Sequence, residues 1–218
     1  MMTDKMLEAI GAVYPLKERS AGEYENFAVN MMPFTVRCYE AEGLGNVSVM
    51  CGGVPGVMKM DTLIVNPFDR DMPLFSYDRI YAGGMDTLFL EMYDTCLTHH
   101  PDTEHLGQVV AEYADLENSP IEPNWYDDIL YKESVKKVMP DELTARMDQL
   151  TLDYLAEYLH MTTLAPACER TAKLRAASAY TEGLLEHGGP STDVFMKAKG
   201  EEFTQGLFRD VLFSTGRP

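Results

Sequence analysis

The chain has 218 residues and a mass of 24.5 kDa, enough for one domain with a substantial core. Hydrophobic residues make up 45% and charged residues 24%, the globular average, which excludes wholesale disorder, collagen-like repeats and a disulfide-dense scaffold. Lys and Arg number 18 against 35 Asp and Glu, a net charge of -17 that a nucleic-acid backbone or an anionic membrane surface would repel.

From the N-terminus, Met6 to Glu18 carries apolar residues at helical spacing and is followed by a break at Ser20-Ala21-Gly22. The texture then changes. Phe34 to Tyr39, Val47 to Cys51, Met58 to Val65, Tyr77 to Tyr81 and Thr87 to Tyr93 are short runs rich in Val, Ile, Thr and aromatics, which read as strands. Glu42 to Asn46 and Ala82 to Asp86 are too short for parallel crossovers, so the strands are expected to form an antiparallel meander. After Pro101 the periodicity turns helical and breaks between Pro120 and Trp125. Asp141 is expected to cap a helix carrying Leu143, Met147, Leu150, Tyr154, Leu155, Tyr158 and Leu159. Cys168 to Leu185 and Thr192 to Phe213 read as two further helices, separated by Gly188-Gly189-Pro190.

Strands first and helices afterwards imply an α+β layer structure, with helices covering an antiparallel sheet. No internal repeat, low-complexity tract or Gly/Ser linker divides the chain, so residues 1–218 are expected to form a single domain. No run of 18 apolar residues exists, and the opening residues carry Asp4, Lys5 and Glu8, so a soluble cytoplasmic protein is expected. Cys38, Cys51, Cys96 and Cys168 lack C-x-x-C spacing and read as free thiols rather than zinc or redox ligands.

No phosphate-cradling loop, dinucleotide fingerprint or G-x-S-x-G elbow is present. His99, His100 and His105, with Asp102 and Glu104 interleaved, have a composition that suits zinc or nickel, but they surround Pro101 in an expected loop. His160 and His187 sit near helix ends and read as dipole partners. Fifteen methionines, several flanking the strands, suit either gap filling in a core or a broad apolar pocket. Arg37, Lys59 and Arg79 lie on expected strands, facing either solvent or a pocket in which they would pair with carboxylates of a ligand.

The segment from Asn66 to Ile80 resembles a landmark of the ferredoxin-dependent bilin reductases, in which a strand ends near a proline and a D-x-P-[LI]-F-x-x-D-[IL] run enters the next strand. Asp71, Pro73, Leu74, Phe75 and Asp78 match it, with Arg79 where the family has an aliphatic residue. Pro123-Asn124-Trp125, nine residues ahead of Ser134, is similar to the family's P-x-W loop. Further on, Tyr180 and then Pro190 to Phe195 resemble its D-P-A-x-x-L-F stretch, and Gly200, Phe203 and Leu212-Phe213 its closing residues. The pieces occur in family order.

That resemblance implies a three-layer α/β/α sandwich with a central antiparallel sheet flanked by helices. It implies an oxidoreductase that delivers electrons and protons to an open-chain tetrapyrrole, with no tightly bound metal or flavin and with electrons arriving singly from an external ferredoxin or flavodoxin. Protonation makes the pigment a better electron acceptor, so a carboxyl with a raised pKa can time the chemistry. The resemblance places Asp78 as the central catalytic aspartate. Asp61 or Thr62 falls at the position where one branch has a histidine, Asp61 as a second catalytic group and Thr62 as a substrate contact. Phe75, Arg37, Lys59 and Arg79 complete the expected substrate-binding set. Gly189 stands where some branches carry a further aspartate, and Val47 to Cys51 lacks an acid that one branch uses. Docking of an acidic ferredoxin would draw on Lys132, Lys136, Lys137, Lys197 and Lys199. The rival reading is a binding protein with the same fold that carries or senses a tetrapyrrole or another bulky apolar ligand without turning it over.

Overall fold

In the computed structural model, which describes residues 1–120 and 122–216, the chain opens with α1 (Met2–Val13) rather than a helix running to Glu18. The reason is local. Tyr14 precedes Pro15, whose ring disfavours helical geometry in the preceding residue, and Tyr14 is extended at φ -128°, ψ 118°. Leu16–Arg19 then forms β1. Next come β2 (Asn26–Val29), β3 (Met32–Ala41), β4 (Gly45–Val54), β5 (Met58–Asn66), β6 (Leu74–Ala82) and β7 (Met85–Tyr93). A long excursion containing α2 (Glu104–Ala111) leads to β8 (Val135–Pro140). The C-terminal part is α3 (Thr144–Leu164), α4 (Arg170–His187), α5 (Pro190–Lys199), α6 (Glu201–Gly206) and a π-helical stretch from Leu207 to Leu212.

The eight strands make one sheet in the order β1-β3-β4-β5-β6-β7-β8, with β2 also paired to β3. Every ladder is antiparallel, and β3 to β7 form the expected meander. Turn chemistry sets the register. Between Ala82 and Met85 lie only Gly83 and Gly84, both at positive φ, the two-residue connection whose twist matches that of its strands.

Because a strand alternates its side chains, each strand feeds both faces of the sheet. One face carries Val47, Val49, Leu63, Val65, Phe75, Tyr77, Leu88, Leu90 and Met92 and packs against α1 and α3. There Phe75 stacks on Tyr158 and Tyr154, with ring centroids 5.0 and 5.9 Å away. The other face carries Val36, Cys38, Met50, Ile64 and Tyr93 and packs against α4, α5 and the π-helical stretch. The architecture is therefore the α/β/α sandwich, and each fully buried aliphatic or aromatic side chain contributes roughly 1.5–3 kcal/mol to holding it.

Two helix expectations change. Asp141 lies in a 3-10 turn, Asp141–Leu143, that leads into α3 instead of capping it. The last expected helix is broken at Gly200, at φ 89°, into α5, α6 and the π-helical stretch.

Candidate functional site

On the face covered by the C-terminal helices, the side chains of β5, β6 and β7 do not all meet a packed partner. They border a cavity of about 160 Å³, lined from the sheet by Thr62, Ile64, Ser76, Asp78, Phe89, Glu91 and Tyr93 and from the other side by Tyr126, Tyr180, Leu184, Gly189, Phe208 and Leu212. Thr62 is the ladder partner of Asp78, and Ser76 that of Glu91. Side chains of partnered residues share a face, so the four form one polar cluster on adjoining strands.

The opposite wall is built by capping. The α4 helix starts at Glu169, whose carboxylate accepts from the backbone N–H groups of Thr171 and Ala172 at 2.8 and 2.7 Å. It stops at Gly188, at φ 80°, a conformation that favours glycine, and Pro190 opens α5. Beyond α6, the N–H of Phe213 donates to the Phe208 carbonyl, five residues back, at 3.0 Å. The last carbonyls of that stretch would otherwise be buried without donors. Sheet side chains supply them: Ser48 and Asn46 donate to the Leu212 oxygen at 2.7 and 3.0 Å, and Asn66 donates to the Phe213 oxygen at 2.8 Å. These buried polar residues hold the π-helical stretch over the cavity.

Asp78 accepts from the Thr62 hydroxyl at 2.5 Å and from the Ser76 hydroxyl at 3.2 Å. Its removal from bulk water pushes the carboxyl pKa up, and the two hydroxyl donors hold that rise back. Glu91, 7% exposed, accepts from the Tyr93 hydroxyl at 2.8 Å. Burial pushes its carboxyl up to about 7, against the Tyr93 hydrogen bond and with the charge of Asp78 adding to the rise. The aromatic side of the wall is continuous: Tyr93 lies 4.3 Å from Tyr180 between ring centroids, and Trp125 packs on Tyr180, Tyr126 and His187.

The D-x-P-L-F-x-x-D motif divides between scaffold and site. Asp71 accepts the backbone N–H groups of Leu97, Thr98 and His99 at 2.7, 2.9 and 2.9 Å. Burial works against its ionisation, yet those donors and the ammonium of Lys173 hold it down to about 2. Lys173, itself buried, donates to the carbonyls of Met72 and Thr95. Asp71 therefore pins the loop after β7 to the loop before β6, whereas Asp78 opens on the cavity.

Five residues expected at the site lie on the opposite face of the sheet from Asp78. Asp61 is one residue from Thr62, so the pleat sends it toward α1, where it is buried and paired with Lys59 at 2.5 Å. Lys59 takes that pairing on the same side and sits 5.3 Å from the Tyr81 ring centroid. Arg37 reaches Asp4 of α1 at 2.8 Å. Phe75 stacks against α3. Arg79 belongs to a strand that borders the cavity, but its guanidinium turns away to Asp86 at 2.8 and 2.5 Å and to Asp148 at 2.6 Å. Of the expected catalytic and substrate-binding residues, Asp78 and Thr62 present their side chains to the cavity, Arg79 borders it while its guanidinium points away, and Tyr180, Gly189, Leu212 and Phe213 of the resembled C-terminal stretch line it as well.

The cation cluster also divides. Lys137 is buried on the α3 face and donates to the Leu116 carbonyl at 2.6 Å, while Lys136 donates to the Pro120 carbonyl at 3.1 Å. Lys132, Lys197 and Lys199 remain exposed. Among the described residues, no group of three or more His, Cys, Asp or Glu is placed to hold a metal, and His99, His100 and His105 do not converge.

Glu91 is the site residue that the sequence reading missed. The signal was present: Leu88, Leu90 and Met92 alternate on β7, so Glu91 shares the other face with Thr87, Phe89 and Tyr93 and is the one acid of β7 on that face.

No protein-family model and no curated protein matches the chain. Among solved structures it is similar to tomato phytochromobilin synthase in complex with biliverdin, with a TM-score of 0.80 and 12% identity over 98% of this chain and 82% of that chain. It is also similar to PcyX, with a TM-score of 0.60 and 16% identity over 97% of this chain and 96% of that chain. The chain has the sandwich fold of these two proteins, with a carboxyl-bearing cavity between its sheet and its C-terminal helices.

Proposed function

We propose that the chain binds an open-chain tetrapyrrole between β5–β7 and the C-terminal helices, and that it delivers electrons and protons to that pigment. The observation that carries this reading is Asp78, a carboxyl with a raised pKa held by Thr62 and Ser76 on the wall of a largely apolar cavity. The fold shared with tomato phytochromobilin synthase, a protein solved with biliverdin, supports the choice of ligand class.

The chemistry asked of this site is modest in parts and exacting in timing. Reducing one double bond takes two electrons and two protons. A protonated pigment carries added positive charge and accepts an electron more readily, so the carboxyl must be protonated beside the ring system when the electron arrives. Asp78 meets that need because its burial disfavours the carboxylate, while Thr62 and Ser76 fix its orientation and donate hydrogen bonds to the carboxylate left after the proton departs. The electrons come from an external one-electron donor of the ferredoxin or flavodoxin class. Lys132, Lys197 and Lys199 are cations available to meet such an acidic partner, against an overall charge of -17. The cavity, at about 160 Å³, is smaller than the roughly 300–1,000 Å³ of established ligand pockets. A tetrapyrrole therefore has to displace part of the wall, and the Trp125–Tyr126 side, built by a connecting segment and not by sheet or helix, is the part that yields.

A second reading has its own support. Gly189 lines the cavity at the position where the resembled family can carry an aspartate, leaving one expected proton donor without a side chain. On this reading the protein carries or senses its ligand without turnover.

The test is an anaerobic absorbance titration with biliverdin, followed by a low-potential electron donor. A saturable red-region shift that decays to a shorter-wavelength product supports the reductase, and a shift that persists supports the carrier. No shift at all overturns both. In the reductase case, Asp78→Asn keeps the binding shift and slows its decay about 100-fold or more; unchanged decay removes Asp78 from the role.

A further inference from the structure

We propose that Glu91, hydrogen-bonded by Tyr93, is a second proton-delivering residue of this cavity, giving its carboxyl proton to the bound tetrapyrrole from the strand beside Asp78. The inference rests on the tetrapyrrole reading above and goes beyond it by assigning a residue that neither the sequence motif nor the fold likeness singles out.

Three observations carry it. Glu91 lines the same cavity as Asp78, and its ladder partner is Ser76, the residue whose hydroxyl donates to Asp78 at 3.2 Å. The two carboxyls thus stand on one face of neighbouring strands with a hydroxyl between them. Second, Glu91 is buried with no direct ion pair among the described residues: the nearest cation of β8 on this face, Lys136, bonds the Pro120 carbonyl and lies over the Phe89 ring, 5.7 Å from its centroid. Burial disfavours the ionised form of a carboxyl whose hydrogen-bond partner is a tyrosine hydroxyl and not a cation, so Glu91 exchanges its proton near neutral pH, poised to give it up. Third, the groups around it do not neutralise it by charge. Asp78 on β6 adds negative charge, Lys136 opposes it from a distance, and Tyr93, Tyr126, Tyr180 and, through the sheet, Tyr154 are phenols held protonated by burial.

The stoichiometry calls for two protons, and a second acid beside Asp78 supplies the other without a reloading step between them. Each reduced double bond exchanges its π bond for two new bonds to hydrogen, using two electrons from a ferredoxin-class donor and two protons. The O–H bond of Asp78 breaks to supply one proton and that of Glu91 the other. Both carboxylates regain protons from solvent after product leaves. Gly189 offers no side chain for this step, so Glu91 fills it from the opposite side of the cavity.

The experiment follows single-turnover reduction of bound biliverdin by a ferredoxin-class donor in the full-length protein, as a function of pH. Glu91→Gln is expected to bind biliverdin and accept the first electron, but to accumulate the one-electron-reduced pigment radical by electron paramagnetic resonance and to slow the second step about 100-fold or more. Tyr93→Phe keeps the acid and removes the hydrogen bond that favours its ionised form, so the basic limb of the second step moves to higher pH. Infrared titration of the ligand-free protein gives a readout independent of turnover: a carboxylic-acid band that titrates near neutral pH and is absent from Glu91→Gln. A Glu91→Gln protein with the wild-type rate and pH profile, or a Tyr93→Phe protein with an unmoved limb, overturns the inference while leaving the tetrapyrrole reading intact. Failure of the wild type to bind or reduce biliverdin overturns that reading and this inference with it.

Discussion

The two faces of the central sheet are made by the same strands and do opposite things. Asp78 and Arg79 are consecutive, yet Arg79 is locked between Asp86 and Asp148 beneath α3, while Asp78 opens on a cavity with two hydroxyls and, among the described residues, no cation bonded to it. Thr62 and Asp61 repeat the contrast one strand over. On the α3 face Arg79, Asp86 and Asp61 each have a counter-charge within bonding distance, and the buried ammonium of Lys137 is held by the Leu116 carbonyl. On the cavity face the two carboxyls are left to hydroxyl donors, and their pKa values rise. Charge pairing fixes an ion in its charged form, whereas hydroxyl donors in an apolar setting leave a carboxyl able to exchange its proton.

The sharpest way to break this comparison is to change both members of the consecutive pair. Asp78→Asn is expected to lower turnover of a bound tetrapyrrole by about 10²–10⁴-fold while leaving thermal stability near wild type. Arg79→Ala is expected to cost about 3–5 kcal/mol in denaturant unfolding, because it strands Asp86 as a buried unpaired charge, and to leave ligand affinity unchanged below the unfolding transition. If both variants lose stability equally, the division of labour between the faces fails.

Acid and base titration of stability sharpens the same contrast. Glu91 binds its proton more tightly folded, with a pKa of about 7, than unfolded, at 4.5, so the folded state holds more protons in that window and stability falls as pH rises from 4.5 to 7. The loss is on the order of 3 kcal/mol at most, and Glu91→Gln is expected to flatten it in urea midpoints measured across that range. Asp71 acts with the opposite sign. Its pKa of about 2, against 3.8 unfolded, contributes stability that is complete above 3.8 and disappears as pH falls toward 2. A variant lacking Asp71 is expected to lose that acid sensitivity and the order of the loop from Leu97 to His99.

The smallest effect concerns the aromatic wall. Gly183 lies where an added Cβ would come within 2.3 Å of the Trp125 ring. Gly183→Ala favours the helix by about 1 kcal/mol but must push the indole aside, so net stability changes little. Trp125 is the sole tryptophan, so the displacement should appear as a red shift in intrinsic fluorescence. An unshifted spectrum would mean that the wall on this side is too rigid to yield to a ligand.

Much of the architecture was legible in the chain. The β3–β7 meander followed from β-branched and aromatic runs, joined at β3–β4 and β6–β7 by short glycine-containing turns, and α3 and α4 from apolar periodicity. The elements that escaped did so for identifiable reasons. The β2–β3 hairpin turns at Asn30-Met31, both at positive φ, with Asn30 suited to that conformation but Met31 standing where glycine is normal, so the turn signal is only half written. The β8 strand contains Lys136 and Lys137, which read as solvent-facing, although the Lys137 ammonium is satisfied internally by the Leu116 carbonyl.

By itself the sequence determined the central strands β3–β7, the long helices α3 and α4, the antiparallel connectivity and one motif that carries Asp78, because these depend on local propensity, turn length and residue order. It did not determine which of two adjacent polar residues faces the cavity. A strand's pleat offers both Asp61 and Thr62, and both Asp78 and Arg79, and a shift of one residue exchanges the faces. The choice was made by tertiary structure: Asp86 and Asp148 on one side claim Arg79, Lys59 claims Asp61, and the π-helical stretch held by Ser48, Asn46 and Asn66 leaves room on the other side for Asp78 and Glu91.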